Sequence, residues 1–320
     1  MSPIHRKKAR PQKIGLALGS GSSRGWAHIG VIKALTEAGS HIDYVAGTSI
    51  GAVVGAVFAS GKIGVLEEIV LQLDWRQITS FLDVVFPKSG LIDGNRISEF
   101  IRSNVGEKNI EDLSLPFCAV STDLATGNEM VLHEGDIIEA VRASISVPGI
   151  FTPVRKDGMT LVDGGLVNPV PVSVVREMGA DFVIAVDLNH DIIGKKGVKK
   201  GFASIPRNLA SEKEAENQAP ERGKILDALN RRIQSIDLPA LAQIRQWMGG
   251  DPVPNIFEVL VSSINIMETQ ITAARLKSDP PDILIQPGLG HIKFLEFNKA
   301  QEAITEGYRE AKACISAKLG

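Results

Sequence analysis

The sequence predicts an α/β fold, a three-layer α/β/α sandwich with a mostly parallel central sheet, followed by a mainly helical C-terminal extension. Three observations predict it. Short apolar runs of strand length alternate with longer segments of helical periodicity across residues 13–190, the pattern of a parallel sheet covered on both faces. Glycine makes up 31 of the 320 residues, against a usual share of about 7%, and many of these glycines fall where a strand passes into a helix. The balance of 44% hydrophobic and 22% charged residues is that of an ordinary soluble domain.

The elements follow in order. Residues 13–18 form an apolar run ending in glycine and serine, a first buried strand. Residues 26–38 carry apolar side chains at Ile29, Val31, Ile32 and Leu35 and stop at Gly39, a helix with a glycine end. A second strand is predicted over 42–46, a helix over 50–60, and further helices over 65–75 and 97–103. Residues 115–121 and 128–132 read as strands paired across the turn at 123–127. A helix over 136–144 opens with Asp136 in its first turn. A short strand over 160–162 stops at Asp163-Gly164-Gly165, and a helix over 172–178 leads to an all-apolar strand over 182–186. Beyond His190 the texture changes. Residues 191–223 are rich in Lys, Glu, Gly and Pro and read as a flexible insertion or linker. Helices over 224–247 and 256–277, a late strand over 282–286 and a final amphipathic helix over 298–317 complete the chain. The domain reading is a basic disordered tail at 1–12, a catalytic domain at 13–190, the linker at 191–223, and a helical extension at 224–320 packed on the catalytic domain.

Composition excludes several classes. With 35 basic and 37 acidic residues the net charge is −2, so the chain is no strongly basic nucleic-acid binder. Cys118 and Cys314 make neither a disulfide framework nor a metal-ligand spacing. The basic N-terminus lacks an apolar h-region and is not read as a secretory signal; it suits only weak attraction to anionic lipid. Residues 44–61 are uncharged and long enough to suggest a membrane span, but Gly47, Thr48, Ser49, Gly51, Gly55 and Ser60 interrupt them. They parse better as strand, tight turn and buried helix. The protein is expected to be cytoplasmic, with peripheral membrane contact as an open alternative.

Three glycine clusters carry the chemistry. The first, Gly19-Ser20-Gly21-Ser22-Ser23-Arg24-Gly25, joins strand one to its helix, where backbone amides and the helix N-terminus favour an anion. A dinucleotide site wants G-x-G-x-x-G and an acid ending the next strand. Here Arg24 occupies the sixth position and Asp43 opens that strand. The second, Gly47-Thr48-Ser49-Ile50-Gly51, fits the G-x-S-x-G nucleophile elbow, a serine on a strained strand-to-helix turn. A serine needs a base. His190 and His291 follow Ser49 but have no motif around them, and His28, His41 and His133 read as structural or exposed. The third cluster, Asp163-Gly164-Gly165, offers another base directly after a short strand, at the edge where open α/β sheets bind ligands.

Together these clusters resemble the patatin-like phospholipase family, particularly its small bacterial members, over residues 14–190. Trp26 to Val31, Thr122 to Gly127, Arg142 to Pro153 and Asn168-Pro169 support the likeness. The resemblance implies a serine acyl hydrolase of lipid esters, of phospholipase or lysophospholipase type, with no metal or cofactor. It implies Ser49 as nucleophile, Asp163 as general base in a dyad without histidine, and an oxyanion hole from the Gly19–Ser22 amides, with Arg24 and Gly25 shaping the loop. Gly47, Gly51, Gly164 and Gly165 would form the elbow and the Asp loop. The family loop usually has three consecutive glycines before Arg-Gly; here Ser20 replaces the middle one. An aspartate with an ordinary pKa of about 3.9 is a weak base at neutral pH, so burial is expected to raise it. Two other readings stand beside this one: a regulatory or scaffold protein that keeps the fold with little turnover, and a nucleotide-binding protein using Gly19–Gly25.

Overall fold

The computed structural model describes residues 12–74, 77–78, 92–106, 108–192 and 256–319. The expected tail at 1–12, linker at 191–223 and helix over 224–247 therefore lie almost wholly outside the described residues.

Among the described residues eight strands form one sheet: β1 (Ile14–Leu18), β2 (Tyr44–Thr48), β3 (Phe117–Asp123), β4 (Glu129–Leu132), β5 (Val154–Lys156), β6 (Met159–Asp163), β7 (Phe182–Val186) and β8 (Ile283–Ile285). Strands β3, β2, β1, β7 and β8 run parallel in that spatial order. The helices are α1 (Ala27–Glu37), α2 (Ile50–Ala59), α3 (Ile63–Leu71), α4 (Asn95–Val105), α5 (Ile137–Ser144), α6 (Val172–Glu177), α7 (Ile256–Ser278) and α8 (Ala300–Leu319). This is the predicted sandwich with its helical C-terminal part.

Strand periodicity separates the layers. Leu16 and Leu18 join the larger core with α1, α2, α5 and α8. Ala17 between them faces the smaller core with Val172, Val174 and Val175 of α6, because successive strand residues point to opposite faces. Leu16, Leu18, Ile29 and Leu161 are almost wholly buried, and truncating one such side chain to Ala costs about 2–5 kcal/mol.

The site is positioned by the pairing of β3. A strand has two edges. Strand β4 occupies one over Ala119–Thr122. On the other edge, β2 runs parallel up to Thr48 opposite Val120, and β6 runs antiparallel down to Asp163 opposite Ser121. Strands β2 and β6 therefore point at each other along one edge, and the residues that end them meet.

Two expectations change. Strand β5 does not appear in the sequence reading. It pairs with β6 through the turn Asp157-Gly158, both at positive φ, which is the Asp-Gly signature of a tight hairpin. The division at residue 190 does not end the sheet: β8 pairs with β7, joining Ile184 to Ile283 and Val186 to Ile285. The expected late strand is thus an edge strand of the same sheet, and α8 packs along α1. The uncharged stretch at 44–61 is strand β2 followed by helix α2, as read from its glycines, and no helix among the described residues is long and apolar enough to cross a membrane.

Candidate active site

Ser49 sits between β2 and α2 with φ 57° and ψ −124°. A non-glycine residue held there costs about 1–3 kcal/mol, supplied by the surrounding structure. Its amide donates to Ser144 Oγ at 2.9 Å, and the Thr48 hydroxyl donates to the Asn168 carbonyl at 2.8 Å. The turn closes this tightly because Gly47 and Gly51, two residues to either side of Ser49, lack side chains. A Cβ on Gly51 would stand 2.1 Å from the Leu18 carbonyl oxygen, and one on Gly47 2.3 Å from the Gly51 carbonyl oxygen. Gly51→Ala should therefore push α2 away from β1, lowering the melting temperature by several degrees and weakening labelling of Ser49 by a fluorophosphonate. An unchanged melting curve would refute the packing account.

Ser49 Oγ donates to Asp163 Oδ2 at 2.6 Å. The other carboxylate oxygen accepts the Gly165 amide at 2.7 Å, so one oxygen is anchored by its own loop while the other faces the serine. The Asp163 amide donates to the Ser146 carbonyl at 2.9 Å, and its carbonyl accepts the Thr122 hydroxyl at 2.9 Å. Asp163 is 2% exposed and Ser49 7%. Burial pushes the Asp163 carboxyl up to about 7, against the opposing pull of its bonds from Ser49 and Gly165. That is the expected direction, and it sets the group near neutral pH, where a general base works best.

The glycine loop is divided in its use. The amides of Gly19 and Ser20 donate to Val186 and Pro169 carbonyls at 3.1 and 2.8 Å, so the fold itself uses them. Among the described residues the amides of Gly21 and Ser22 have no hydrogen-bond partner. Both residues line the same cavity as Ser49. The expected donor set of Gly19, Ser20, Gly21 and Ser22 thus narrows to its last two members. The Arg24 guanidinium is buried; it donates to the Ile292 carbonyl and to Asn189 Oδ1, each at 3.1 Å. Burial lowers it to about 10, so it keeps its charge at neutral pH. Gly25 packs against Ile50, where any Cβ would collide. His28 lies inside, its Nε2 donating to the Gly19 carbonyl at 2.8 Å. Burial drops its pKa to about 4, which keeps the ring neutral and structural. His190 makes no bond to Ser49 or Asp163 among the described residues; its Nδ1 lies 4.0 Å from Asp191.

The C-terminal part completes the site. Ser22 and Ser23 hydroxyls donate to the Phe294 and Lys293 carbonyls at 2.6 Å, and Trp26 Nε1 to that of Phe297 at 3.1 Å. From α7, Glu268 Oε2 accepts Ser20 Oγ at 3.0 Å and Asn189 Nδ2 at 2.9 Å. Glu268 is 7% exposed, and burial, reinforced by the nearby Asp163 charge, raises it to about 8. Sequence reasoning missed this acid and Asn189. The one signal was Ser20 itself, a hydroxyl in a loop where the family carries glycine. A cavity of about 140 Å³ opens onto Ser49, lined mainly by apolar side chains such as Val53, Ile97, Phe100, Val147 and Ile264.

A serine strained onto a strand-to-helix turn at the carboxyl edge of a mostly parallel sheet, with a buried carboxyl on its hydroxyl, defines an α/β protein of the nucleophile-elbow class. Within that class the chain belongs to the patatin-like phospholipase family, whose model matches residues 16–176. An uncharacterized NTE family protein of Mycobacterium tuberculosis is 33% identical, the match covering 95% of this chain and 92% of that one. The patatin-like phospholipase domain-containing protein 6 of Mus musculus is 38% identical over 181 residues, 55% of this chain and 13% of that much longer one. Among solved structures, VipD from Legionella pneumophila superposes with a TM-score of 0.47 and 14% identity, over 97% of this chain and 67% of that one.

Proposed function

We propose that the protein is a serine carboxylic-ester hydrolase acting on lipid esters, with Ser49 as nucleophile and Asp163 as its base. The observation that carries this reading is the 2.6 Å bond from Ser49 Oγ to a carboxyl raised toward neutral pH. Ser49 Oγ attacks the acyl carbonyl carbon while its proton passes to Asp163 Oδ2. The carbonyl electron pair moves onto oxygen, facing the Gly21 and Ser22 amides. One such donor is worth about 2.7–4 kcal/mol to the transition state. The intermediate collapses, the alcohol leaves with the proton from Asp163, and an acyl-Ser49 remains. Water then gives a proton to Asp163 and attacks the acyl carbon; the acid leaves as Ser49 recovers its hydrogen. Every step needs a single group that both takes and returns a proton, which suits a carboxyl poised near 7.

The cavity supports the proposed substrate class. An apolar space of this size holds about six heavy atoms, and each methylene it buries contributes about 0.8 kcal/mol. A hexanoyl ester should therefore be hydrolysed at least about tenfold faster (kcat/KM) than the matching acetyl ester. A panel of acyl esters and phospholipids, run on wild type beside Ser49→Ala, tests the reading. Equal rates for acetyl and hexanoyl would remove the cavity from specificity, and wild-type rates no higher than those of Ser49→Ala would remove the hydrolase reading. The nucleotide reading is disfavoured by the mainly apolar cavity that Gly21 and Ser22 line, where a phosphate would lose its water. The scaffold reading is disfavoured by an intact serine–carboxyl pair.

A further inference from the structure

Glu268 belongs to none of the motifs that point to the family, yet it is buried against two parts of the site at once. Its Oε2 takes the hydroxyl of Ser20 and the amide of Asn189. Asn189 in turn accepts from Arg24. A chain of hydrogen bonds thus runs from Glu268 on α7 through Asn189, beyond β7, to the arginine of the glycine loop. The other oxygen, Oε1, lies on the opposite side, toward the Asp loop. A Cβ on Gly165 would be 2.2 Å from it and 3.0 Å from Asp163 Oδ1, so the two carboxyl groups converge on the bare Cα of Gly165. Two acids this near in a dry site do not both ionise readily. With Oε2 occupied by donors, Oε1 is the oxygen left to carry a proton.

We propose that Glu268 is a positioning residue for this hydrolysis, holding the glycine loop through Ser20 in its uncharged form and disabling the site when it ionises. The proposal rests on the hydrolase reading above. The charged groups facing it are Asp163 at the end of β6 and Arg24 in the glycine loop, with Asp187 and Asp191 acting on Arg24 from beyond β7. Among the described residues both Asp163 oxygens accept donors, Oδ2 from Ser49 and Oδ1 from Gly165, whereas Glu268 takes its donors on Oε2 alone, so Asp163 is the acid that ionises first and becomes the base. The ionised Asp163 then holds the proton on Glu268. At higher pH Glu268 loses it, which places a second negative charge in the cavity that Gly21 and Ser22 also line, where the ester oxygen must itself become negative. Hydrolysis should therefore rise with pH as Asp163 ionises and fall again as Glu268 does. Ser20 acquires its reason here: the hydroxyl gives α7 a handle on the loop that a third glycine would lack.

The test is kcat and KM against pH from 5 to 10 on a hexanoyl ester, for wild type, Glu268→Gln and Glu268→Ala. Glutamine keeps an acceptor for Ser20 and Asn189 but carries no charge. Wild type should give a bell, and Glu268→Gln should keep the rise near pH 7 while losing the fall above about pH 8. Glu268→Ala, without the anchor, should lose about tenfold or more in kcat across the range with little change in KM, and Glu268→Gln should recover most of that loss. An alkaline fall that persists in Glu268→Gln, or a Glu268→Ala enzyme as fast as wild type, would overturn the proposal while leaving the hydrolase reading intact. Wild-type protein that turns over no ester at any pH would overturn the hydrolase reading, and this proposal with it. Melting curves guard against misfolding: Glu268→Gln should lose less stability between pH 6 and 9 than wild type, since it has no buried acid to ionise at that position.

Discussion

Ser49→Ala should lower acyl-ester turnover by about 10⁴–10⁶-fold, the range seen when a nucleophile is removed from an acting unit, and should abolish labelling by a fluorophosphonate. Among the described residues the neighbouring hydroxyls are already engaged. Ser144 is held by the Ser49 amide and itself donates to the Val120 carbonyl. Ser20 and Ser22 are tied to Glu268 and Phe294. The variant should still fold, because alanine keeps the Cβ and the elbow is built by Gly47, Gly51 and the bonds from the Thr48 hydroxyl and the Ser49 amide. Its side effect is electrostatic: Asp163 loses the donor that draws its pKa down, so the carboxyl should titrate higher in Ser49→Ala than in wild type. A side-chain carboxyl signal followed by isotope-labelled NMR would read this. Turnover within tenfold of wild type would remove Ser49 from the chemistry.

The site divides sharply into what could be read from the chain and what could not. Ser49 and the glycine loop are local patterns, each contained in fewer than eight residues, and a turn that must pass a helix within van der Waals distance of a strand leaves glycines in the sequence. Asp163 lies 114 residues from Ser49, yet it was legible, because it ends a strand and strand ends converge at one edge of an α/β sheet. Glu268 was not legible. It lies 248 residues from Ser20, and on a helix with many possible faces an isolated acid reads as solvated surface. Its burial depends on how α7 lies over the Asp loop, and no spacing along the chain encodes that crossing. The same reason hid the integration of the C-terminal part. The strand β8 has only three residues, and its apolar side chains do not say which edge they will join. The Asp157-Gly158 hairpin is a different case, since both turn residues were in plain view but the strands they connect are of three and five residues, at the lower end of what periodicity detects.

Asp163→Asn should abolish nearly all activity and yet make the protein more stable at alkaline pH. The side-chain shape is preserved. An Asn Oδ1 can accept the Gly165 amide as Asp163 does, and its amide can donate to Ser49 Oγ, but it cannot take the proton that Ser49 must release. Loss of the base removes a contribution of about 10²–10⁴-fold from proton transfer alone, while His190→Ala should retain most activity because His190 makes no bond to either group. The stability effect follows from linkage. The Asp163 carboxyl titrates near 4 in an unfolded chain and near 7 when folded, the increase coming mainly from burial. The folded state therefore binds the proton more tightly, its stability declines as pH rises from about 4 through about 7, and it is level beyond. With about 1.4 kcal/mol for each unit of difference, the ionised carboxyl costs the fold several kcal/mol at pH 8. Asparagine has nothing to ionise. Thermal melts should thus show Asp163→Asn above wild type by several degrees at pH 8, with the gap closing as pH falls to 4, where the wild-type acid is neutral in both states. A gap that is constant with pH would mean that the carboxyl is not raised in the folded protein. The acid limb of wild-type kcat/KM should then lie near 4 instead of 7. A site built around a buried acid pays in stability for a base that works at neutral pH, and the two curves measured side by side connect that cost to the catalysis.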